Sequence, residues 1–512
     1  GDVIYGTPTS NSSLLIGSAS VWHGSATGLE DSPAWGGGGE ILFMSYGESV
    51  ASAGDVNGDG YGDVIVGAPD MPSETMLDLE GMIFVYLGSA AGLSAEADWS
   101  RAGGQIGARL GASVSTAGDV NGDGFSDVIV GARQYDGGQS DEGRAYVFHG
   151  SPTGLGSVPD WLEENDLAGS EFGSSVATAG DVNGDGFSDV IVGAPLAGGL
   201  AVEGGQAYVY HGGAEGLAEE SGWYANGGQI GAESGFSVAS AGDVNGDGYG
   251  DIVVGARYYD GGETDEGRAA VYHGSSSGPS LTPDWTAEGN QADAHLGWSV
   301  ASAGDLDNDG YGDVIVGAPD YDGGESGEGR VFVWRGQALF GLGADGTPDN
   351  ADWFAESNQA SALLGSSVGS AGDVNGDGFG DIIVGAPDYS AGQSHEGLVL
   401  VWHGSPAGLG PGGNPANADW AAQGNSENAY LGYSVASAGD VNGDGHGDVI
   451  AGAYGYTNDR ATEGAVFVWH GAPGVGLGDD GTPANADWSV EGNQDGARLG
   501  SSAASAGDVD GD

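Results

Sequence analysis

The sequence repeats one phrase of Asp and Gly residues along its whole length. Residues 55–69 read DVNGDGYGDVIVGAP, and close copies return at intervals of 62 to 68 residues. The first aspartates of these loops are Asp55, Asp119, Asp181, Asp243, Asp305, Asp373, Asp440 and, in a shortened copy, Asp508. Such a period is better evidence about the architecture than total length is, because each unit is one supersecondary building block that stacks on its neighbours.

Each unit contains four short segments with the features of β-strands. In one unit these are 110–118, 127–132, 143–150 and the segment around Trp161, separated by turns rich in Gly, Asp and Pro. Alternation of apolar and polar residues is typical of half-buried strands, and no 3.6-residue helical stripe is present. Four strands per unit of this length predict an all-β chain folded as a β-propeller of four-stranded blades.

The two ends of the chain complement each other. Residues 1–8 align with 62–69, where a second strand begins, whereas residues 499–512 supply a first strand and part of an Asp loop. Pairing of these ends would close the ring and leave no free sheet edge between them. The sequence therefore predicts a single propeller, 1–512, with eight closed blades. The alternatives are seven blades with overhanging ends, or a segment of a longer tandem array. The expected blades are 498–512 with 1–45, 46–108, 109–170, 171–233, 234–294, 295–362, 363–429 and 430–497.

The charge limits the classes of partner. A formal net charge of −65 at pH 7 excludes direct binding to nucleic acid or to an anionic membrane surface, because both would repel the chain. The chain has no Cys, and no apolar run approaches the roughly 18 residues of a membrane span. So acidic a composition indicates bound cations, and calcium-rich extracellular surroundings suit it better than the cytosol.

The Asp loop has the donor pattern of a calcium site. Oxygen-bearing side chains occupy loop positions 1, 3, 5 and 9, the carbonyl of position 7 can add a ligand, and Gly at position 6 permits a sharp turn. Hard oxygen donors without His or Cys suit Ca²⁺, which takes about six to eight of them. An EF-hand would need Glu at position 12, where this loop has Val66. We therefore predict about one structural Ca²⁺ per blade rather than metal-free Asx turns.

The predicted metal ligands follow this loop numbering in every copy. In the seven intact loops they are Asp55, Asn57, Asp59, Tyr61, Asp63; Asp119, Asn121, Asp123, Phe125, Asp127; Asp181, Asn183, Asp185, Phe187, Asp189; Asp243, Asn245, Asp247, Tyr249, Asp251; Asp305, Asp307, Asp309, Tyr311, Asp313; Asp373, Asn375, Asp377, Phe379, Asp381; and Asp440, Asn442, Asp444, His446, Asp448. The split copy contributes Asp508, Asp510, Asp512 and Asp2. Clustered carboxylates repel one another without cations, so removal of calcium is expected to loosen the ring.

These motifs resemble the FG-GAP repeat of integrin α-subunit propellers and their bacterial relatives, and a bacterial-type member is expected. One copy contains Phe172-Gly173, the loop from Asp181 to Asp189, and Gly193-Ala194-Pro195. The resemblance covers essentially the whole chain. It implies calcium loops on one face and a protein or glycan ligand on the opposite face, formed by the loops between second and third strands and between blades. Integrin propellers differ in having seven blades, with calcium in only some, and this chain has no Asp-x-Ser-x-Ser motif.

Three further sets of residues recur at fixed positions of the repeat. The loops between second and third strands carry Tyr135, Arg144, Tyr259, Arg268, Tyr321 and Arg330. These residues could form a ligand surface for sugars or acidic groups, but local pairing of Arg with carboxylates is the favoured interpretation. The third strands end at His23, His149, His211, His273, His403 and His470, and the fourth strands contain Trp99, Trp161, Trp223, Trp285, Trp353, Trp420 and Trp488. Equivalent positions lie far apart around a ring, so both sets are predicted to pack between blades.

Long loops between third and fourth strands occur in three consecutive units, around 335–352, 403–419 and 470–487. They should gather on one sector of the calcium face. They either form a contact surface there or result from sequence drift without function.

The repeat carries no cluster of catalytic residues. Residues 274–278 match a Gly-x-Ser-x-Gly nucleophile pattern, but they lie in a turn and not at a strand-to-helix elbow. We therefore predict a binding protein and not an enzyme: a secreted or cell-surface adhesion or assembly module, suited to self-assembly or to one unit of a larger surface protein or fibre. The alternatives are a lectin-like module that uses the Tyr and Arg loops, and the accessory propeller of a secreted carbohydrate- or phospholipid-active enzyme.

Overall fold

The structure, a computed structural model, describes residues 1–8, 17–26, 28–29, 34–37, 45–72, 79–94, 96–198, 204–492 and 494–511. Within these ranges the chain contains thirty-two β-strands and no α-helix. No described segment therefore forms a helix that is long and apolar enough to cross a membrane.

The first sixteen strands are β1 (Asp2–Thr7), β2 (Ser18–Trp22), β3 (Trp35–Gly37), β4 (Ser49–Gly54), β5 (Asp63–Ala68), β6 (Met82–Tyr86), β7 (Trp99–Ala102), β8 (Leu110–Gly118), β9 (Asp127–Ala132), β10 (Arg144–Phe148), β11 (Trp161–Glu163), β12 (Ser175–Gly180), β13 (Asp189–Ala194), β14 (Gln206–Tyr210), β15 (Trp223–Asn226) and β16 (Ser234–Gly242). The second sixteen are β17 (Asp251–Ala256), β18 (Arg268–Tyr272), β19 (Trp285–Glu288), β20 (Ser299–Gly304), β21 (Asp313–Ala318), β22 (Arg330–Trp334), β23 (Trp353–Glu356), β24 (Ser367–Gly372), β25 (Asp381–Ala386), β26 (Leu398–Trp402), β27 (Trp420–Gln423), β28 (Leu431–Gly439), β29 (Asp448–Ala453), β30 (Ala465–Trp469), β31 (Trp488–Glu491) and β32 (Ser502–Gly507).

The described strands form eight four-stranded antiparallel sheets. Seven sheets use four consecutive strands, as in β12-β13-β14-β15, whereas the eighth has the order β3-β2-β1-β32. In that sheet Val3 lies opposite Ser505 and Tyr5 lies opposite Ala503. The fold is an all-β propeller of eight blades closed by pairing of the two terminal strands, as predicted, and the seven-blade alternative is wrong. The residue limits of the individual blades stay a prediction.

Two glycines of each repeat, represented by Gly131 and Gly173, allow neighbouring blades to approach closely. The second strand of each blade is buried on both faces, because an apolar Val/Ile run lies between two other blades. A Cβ atom at Gly131 in β9 would lie only 1.9 Å from the carbonyl oxygen of Gly173 in the next blade. Gly173 itself has a φ of 86°, a conformation that glycine adopts without strain. A larger residue at either position would therefore separate the blades.

The fourth-strand tryptophans connect each blade to the next one. The indole N–H of Trp420 donates to the carbonyl oxygen of Asp479 at 3.1 Å, and its ring contacts Trp469 edge-on with centroids 4.9 Å apart. The equivalent ring pairs are Trp99–Phe148, Trp161–Tyr210, Trp223–Tyr272, Trp285–Trp334, Trp353–Trp402 and Trp488–Trp22. The prediction that these tryptophans pack between blades is confirmed.

Replacing one of these tryptophans should destabilise the ring strongly. Trp420 is 1% exposed, so Trp420→Ala leaves a large cavity and should lower the free energy of unfolding by about 3–5 kcal/mol. Trp420→Phe should cost less, because it keeps most of the buried apolar area. The measurement is the shift in the midpoint of urea unfolding, with Phe340→Ala at a 72% exposed position as the control. Equal shifts for Trp420→Ala and Phe340→Ala would contradict the role of the Trp contacts.

Candidate metal centre

The Asp loops connect the first and second strands of the blades, and the aspartate at position 1 organises each loop. In the loop between β4 and β5, the Asp55 carboxylate accepts N–H bonds from Gly58 at 2.7 Å and from Gly60 at 2.8 Å. Gly60 has a φ of 91°, which explains the need for Gly at position 6. The same pair of bonds recurs around Asp119, Asp181, Asp243 and Asp373. The main chain thus winds tightly around one carboxylate.

The aspartate at position 9 begins the second strand of each blade and is fully buried. Asp63 Oδ2 accepts the N–H of Val56, and Asp63 Oδ1 accepts the N–H of Gly88, each at 2.7 Å. The carboxylate therefore ties the start of the Asp loop to the end of the third strand. All eight position-9 aspartates are 0% exposed; they are Asp2, Asp63, Asp127, Asp189, Asp251, Asp313, Asp381 and Asp448.

In the split blade this aspartate connects the two ends of the chain. Asp2 Oδ1 accepts the N–H of Gly24, and Asp2 Oδ2 accepts the N–H of Val509, both at 2.6 Å. The bond to Val509 joins residues that are 507 positions apart in the sequence. The split loop is thus assembled by the same contacts as the intact ones.

Burial raises the pKa of all eight position-9 carboxyls. The pKa reaches about 7 at Asp63, Asp189, Asp251, Asp313 and Asp381, and about 6 at Asp2, Asp127 and Asp448. Loss of hydration is the largest cause, the two N–H bonds act in the opposite direction, and neighbouring acids, most of them in the same loop, raise the pKa further. Burial therefore makes a proton or a cation on this carboxyl more favourable than it is on an exposed aspartate.

Two of the loops bring three carboxylates together. Oxygens of Asp305, Asp307 and Asp313 lie within 4.8 Å of one another, at loop positions 1, 3 and 9. The split loop gathers Asp2, Asp508 and Asp510, which are its positions 9, 1 and 3. The other six loops have Asn at position 3, so an amide oxygen stands where these two loops have a carboxylate. These acidic clusters could hold a metal ion, and their all-oxygen donor set fits a hard cation.

The full ligand set stays a prediction. In two loops the structure groups the carboxylates of positions 1, 3 and 9. The oxygens of position 5, such as those of Asp59, accept the N–H of Tyr61 and the amide N–H of Asn57. The position-7 carbonyls stay predicted ligands as well. Asp512, predicted as a ligand of the split loop, lies outside the described residues.

Each loop with an acid at position 3 also has a basic partner that the sequence analysis did not assign. Arg335 Nη1 lies 2.5 Å from Asp307 Oδ2, and His23 Nδ1 lies 3.0 Å from Asp510 Oδ2. Both basic residues follow the third strand of their blade. The sequence carries a signal for this pair, since Arg335 replaces the usual His in the blade whose loop has an extra Asp. Arg335 thus offsets the added negative charge of Asp307.

Two sets of main-chain hydrogen bonds connect each Asp loop to the next blade. The N–H of Ser126, at position 8 of its loop, donates to the carbonyl oxygen of Asp55 in the preceding loop at 2.9 Å. The N–H of Ser151, after the third strand of the same blade, donates to the carbonyl oxygen of Val56 at 2.9 Å. Both bonds recur from blade to blade. The loops that could hold metal ions are therefore also the joints between blades.

The histidines that directly follow the third strands lie at these joints. A Cβ atom at Gly216 would lie 2.6 Å from the ring of His149, and one at Gly278 would lie 2.6 Å from the ring of His211. Each ring thus packs against a glycine of the next blade. The histidines do not gather at one site, in agreement with the prediction that they pack between blades.

The Arg residues of the second-to-third loops pack mainly within their own blade. Arg144 lies 3.7 Å from the centroid of the Tyr135 ring and 2.6 Å from a Glu164 oxygen. Arg330 lies 4.3 Å from the Tyr321 ring and pairs with Glu356. Arg268 lies 4.1 Å from the Tyr259 ring, but no carboxylate of the described chain is within ion-pairing distance of it. Local pairing, the favoured interpretation, therefore holds for two of the three arginines.

Buried glutamates close the same loops and were not among the predicted residues. Glu142 is fully buried, and its Oε1 accepts N–H bonds from Gly138 at 2.5 Å and from Gln139 at 3.2 Å. Glu266 and Glu328 make the equivalent contacts. The signal in the sequence is a Glu-Gly pair that precedes most of the third strands.

A family model for the FG-GAP repeat matches residues 46–71, 110–148, 172–210, 234–272, 296–334, 364–402 and 431–469, which together make up just over half of the chain. The chain belongs to the FG-GAP repeat family. Each matched segment from 110 onwards runs from the first strand of a blade, through its Asp loop, to the end of the third strand.

The relatives of this FG-GAP chain include integrin α-subunits. It is 34% identical over 168 residues to integrin alpha-4 of Xenopus laevis, 37% over 163 residues to integrin alpha-V of Gallus gallus, and 33% over 250 residues to integrin alpha-5 of Xenopus laevis. These matches cover 31%, 30% and 47% of this chain, but only 15%, 15% and 22% of the relatives. The match confirms the predicted family and supports a propeller related to integrin α-subunits over an enzyme. The relatives named here are animal proteins, so the bacterial affiliation stays a prediction.

Among solved structures, a crystal structure of BBS1N in complex with ARL6DN is similar with a TM-score of 0.43 and 10% identity, covering 80% of this chain and 89% of that chain.

The raised pKa values predict how the stability of the calcium-free protein depends on pH. The folded-state pKa of the position-9 carboxyls is about 6–7, against 3.8 as the ordinary value, so the folded state binds these protons more tightly than the unfolded state. Their contribution to stability is complete below about pH 4 and is lost as the pH rises towards 7. In EDTA, the midpoint of urea unfolding should therefore fall between about pH 5 and about pH 7.5. A midpoint that rises across this range in EDTA would contradict the burial of these carboxyls.

Proposed function

We propose that the chain is a calcium-stabilised, extracellular or cell-surface FG-GAP propeller that acts by binding a protein partner in adhesion or assembly. The observation that carries the calcium part is that the convergent Asp oxygens lie in the same loops whose main chain joins the blades. An ion that neutralises these oxygens would strengthen the contacts between blades directly. Calcium is the cation that best suits several hard oxygen donors on a flexible loop.

In each intact loop the ion would be held by the side chains of positions 1, 3, 5 and 9 and by the carbonyl of position 7. If each site is like other extracellular modules, its Kd is about 10⁻⁴–10⁻³ M. When the free calcium concentration is a hundredfold above this Kd, one such site contributes roughly 2.7 kcal/mol to the stability of the folded state. Several sites together rival the whole stability of an ordinary domain.

Removal of calcium should lower the melting temperature sharply. We expect a decrease of at least about 10 °C when EDTA replaces about 10 mM CaCl₂, because free calcium is then about ten- to a hundredfold above the assumed Kd and several sites lose their contribution at once. The measurement is a calorimetric or fluorescence melt at constant pH and ionic strength. An unchanged melt in EDTA would rule out structural calcium.

A single-site variant separates calcium binding from general loss of negative charge. Asp247→Asn changes position 5 of one loop, and it should weaken calcium binding at that loop about tenfold while the fold is kept. Glu263→Gln removes the same charge at an exposed position outside the Asp loops and is the control. Titration calorimetry should show one weakened site for Asp247→Asn and the wild-type isotherm for Glu263→Gln. Identical isotherms for both variants would exclude Asp247 as a ligand.

The partner would meet the face opposite the Asp loops. This part of the proposal rests on the relation to integrin α-subunits and on the position of the loops between second and third strands. The lectin-like alternative is less favoured, since Arg144 and Arg330 are already paired with carboxylates. A glycan array probed with the calcium-loaded protein tests the lectin-like alternative, which selective glycan binding would support. If the protein binds no glycan but retains proteins or cells in a calcium-dependent manner, adhesion is supported.

A further inference from the structure

The chain itself covers the outer sheet edges of three consecutive blades. The long loop of each following blade reaches back and forms a parallel bridge with the fourth strand of the blade before it. The bridges are Gly346 with Ala287 in β19, Gly413 with Ala355 in β23, and Gly481 with Ala422 in β27. Gly346 donates its N–H to the carbonyl oxygen of Thr286 at 2.7 Å and accepts the N–H of Glu288 at 3.3 Å. The predicted cluster of long loops is therefore a set of edge covers.

The covering segment fits a narrow slot that admits only glycine. A Cβ atom at Gly346 would lie 2.5 Å from Cζ2 of Trp285 and 2.7 Å from Cβ of Ala287. Gly413 and Gly481 would meet the equivalent Trp and Ala atoms at 2.5 to 2.8 Å. The three segments share a short sequence, which is Gly-Thr-Pro at 346–348 and 481–483 and Gly-Asn-Pro at 413–415.

The edge strand β15 has the same Trp-x-Ala sequence, and among the described residues no following loop forms such a bridge with it. Ala225 is its equivalent of Ala287, and it follows Trp223 just as Ala287 follows Trp285. The next blade has a short loop here, and a cleft of about 450 Å³ lies between β15 and that blade, lined by Tyr224, Ala225, Asn226, Tyr272, Leu281 and Pro283 among others. Tyr224 is 54% exposed and Leu281 is 84% exposed.

The two preceding edge strands differ from β15 at the slot position. β7 has Arg101 and β11 has Glu163 where β15 has Ala225. Arg101 extends over the next blade, 5.5 Å from the centroid of the Phe148 ring, and donates to the carbonyl oxygen of Ser157. A long charged side chain at this position occupies the space that a covering glycine needs. Of β7, β11 and β15, only β15 has the alanine that the three covered edges share at this position.

We propose that the edge of β15 binds an extended segment of a partner polypeptide, with Gly followed by Thr or Asn and then Pro. The segment adds to the sheet as a short parallel strand, as the chain's own segments do in the three covered blades. Its glycine N–H donates to the carbonyl oxygen of Tyr224, and its glycine carbonyl accepts the N–H of Asn226. This site lies on the rim of the propeller and depends neither on the ion nor on the ligand face proposed above.

A neutral peptide copied from the chain tests the proposal. The probe is a fluorescently labelled peptide with the sequence of residues 411–417, which has no charged side chain and so avoids repulsion by the acidic protein. Fluorescence anisotropy in millimolar calcium and about 0.15 M salt should show saturable binding to the wild-type protein. The same peptide with Gly413→Val should bind at least tenfold more weakly, because the added side chain does not fit the slot.

A protein variant locates the binding at β15. Ala225→Glu copies the residue that β11 carries at this position, and it should weaken binding of the probe at least tenfold. Ala91→Glu adds the same charge at an exposed position in another blade and should bind the probe like the wild type. Melting curves establish that both variants are folded; if Ala225→Glu does not fold, the two peptides on wild-type protein decide alone.

Three results would overturn the proposal. The first is no binding of the probe by the wild-type protein, and the second is equal binding of the Gly and Val peptides. The third is self-association of the wild-type protein in sedimentation that Ala225→Glu abolishes, which would make a second copy of this chain the occupant and not a separate partner.

Discussion

One buried carboxylate in each blade is the contact on which the rest of the structure depends. The position-9 aspartate, represented by Asp63, accepts one N–H from its own Asp loop and one from the glycine after the third strand. A buried charge is costly unless hydrogen bonds and an opposite charge compensate for it. Two N–H groups supply part of that compensation, and a proton or a cation would supply more. The stability of the ring is therefore coupled to the protonation of these carboxyls.

The same loops determine how the blades are joined. The carbonyl oxygens of Asp55 and Val56 accept N–H groups from the next blade, and this pattern continues to the joint between the split blade and its neighbours. Asp2 bonds both ends of the chain within the split blade. Each unit buries too little surface to be stable alone, so the contacts between neighbours set the stability of the whole ring. The loops that could hold metal ions therefore also carry the contacts between blades and the closure of the ring.

Departures from the repeat distinguish the blades from one another. Asp307 adds a carboxylate to one loop, and Arg335 replaces a histidine beside it and offsets the charge. Three long loops cover the edges of β19, β23 and β27, whereas β15 has the same Trp-x-Ala sequence and, within the described chain, no such bridge. Residues that recur in every blade maintain the common architecture. A contact that is present in a single blade can instead recognise a partner at one place on the ring.

The sequence by itself determined the number of blades, the order of the strands and the loops in which oxygen donors meet. These features are local: the alternation in 110–118, the apolar run in 127–132 and the odd spacing of Asp55, Asn57 and Asp59 all act within a few residues. The match between residues 1–8 and 62–69 extended the same argument to the closure of the ring. The tertiary structure decided the burial of Asp63 and the shift in its pKa, the pairing of Arg335 with Asp307, and the difference between β15 and the covered edges. Those features depend on contacts between residues of different strands and neighbouring blades, many of them about 20 to 70 positions apart, and no local pattern specifies which side chains meet there.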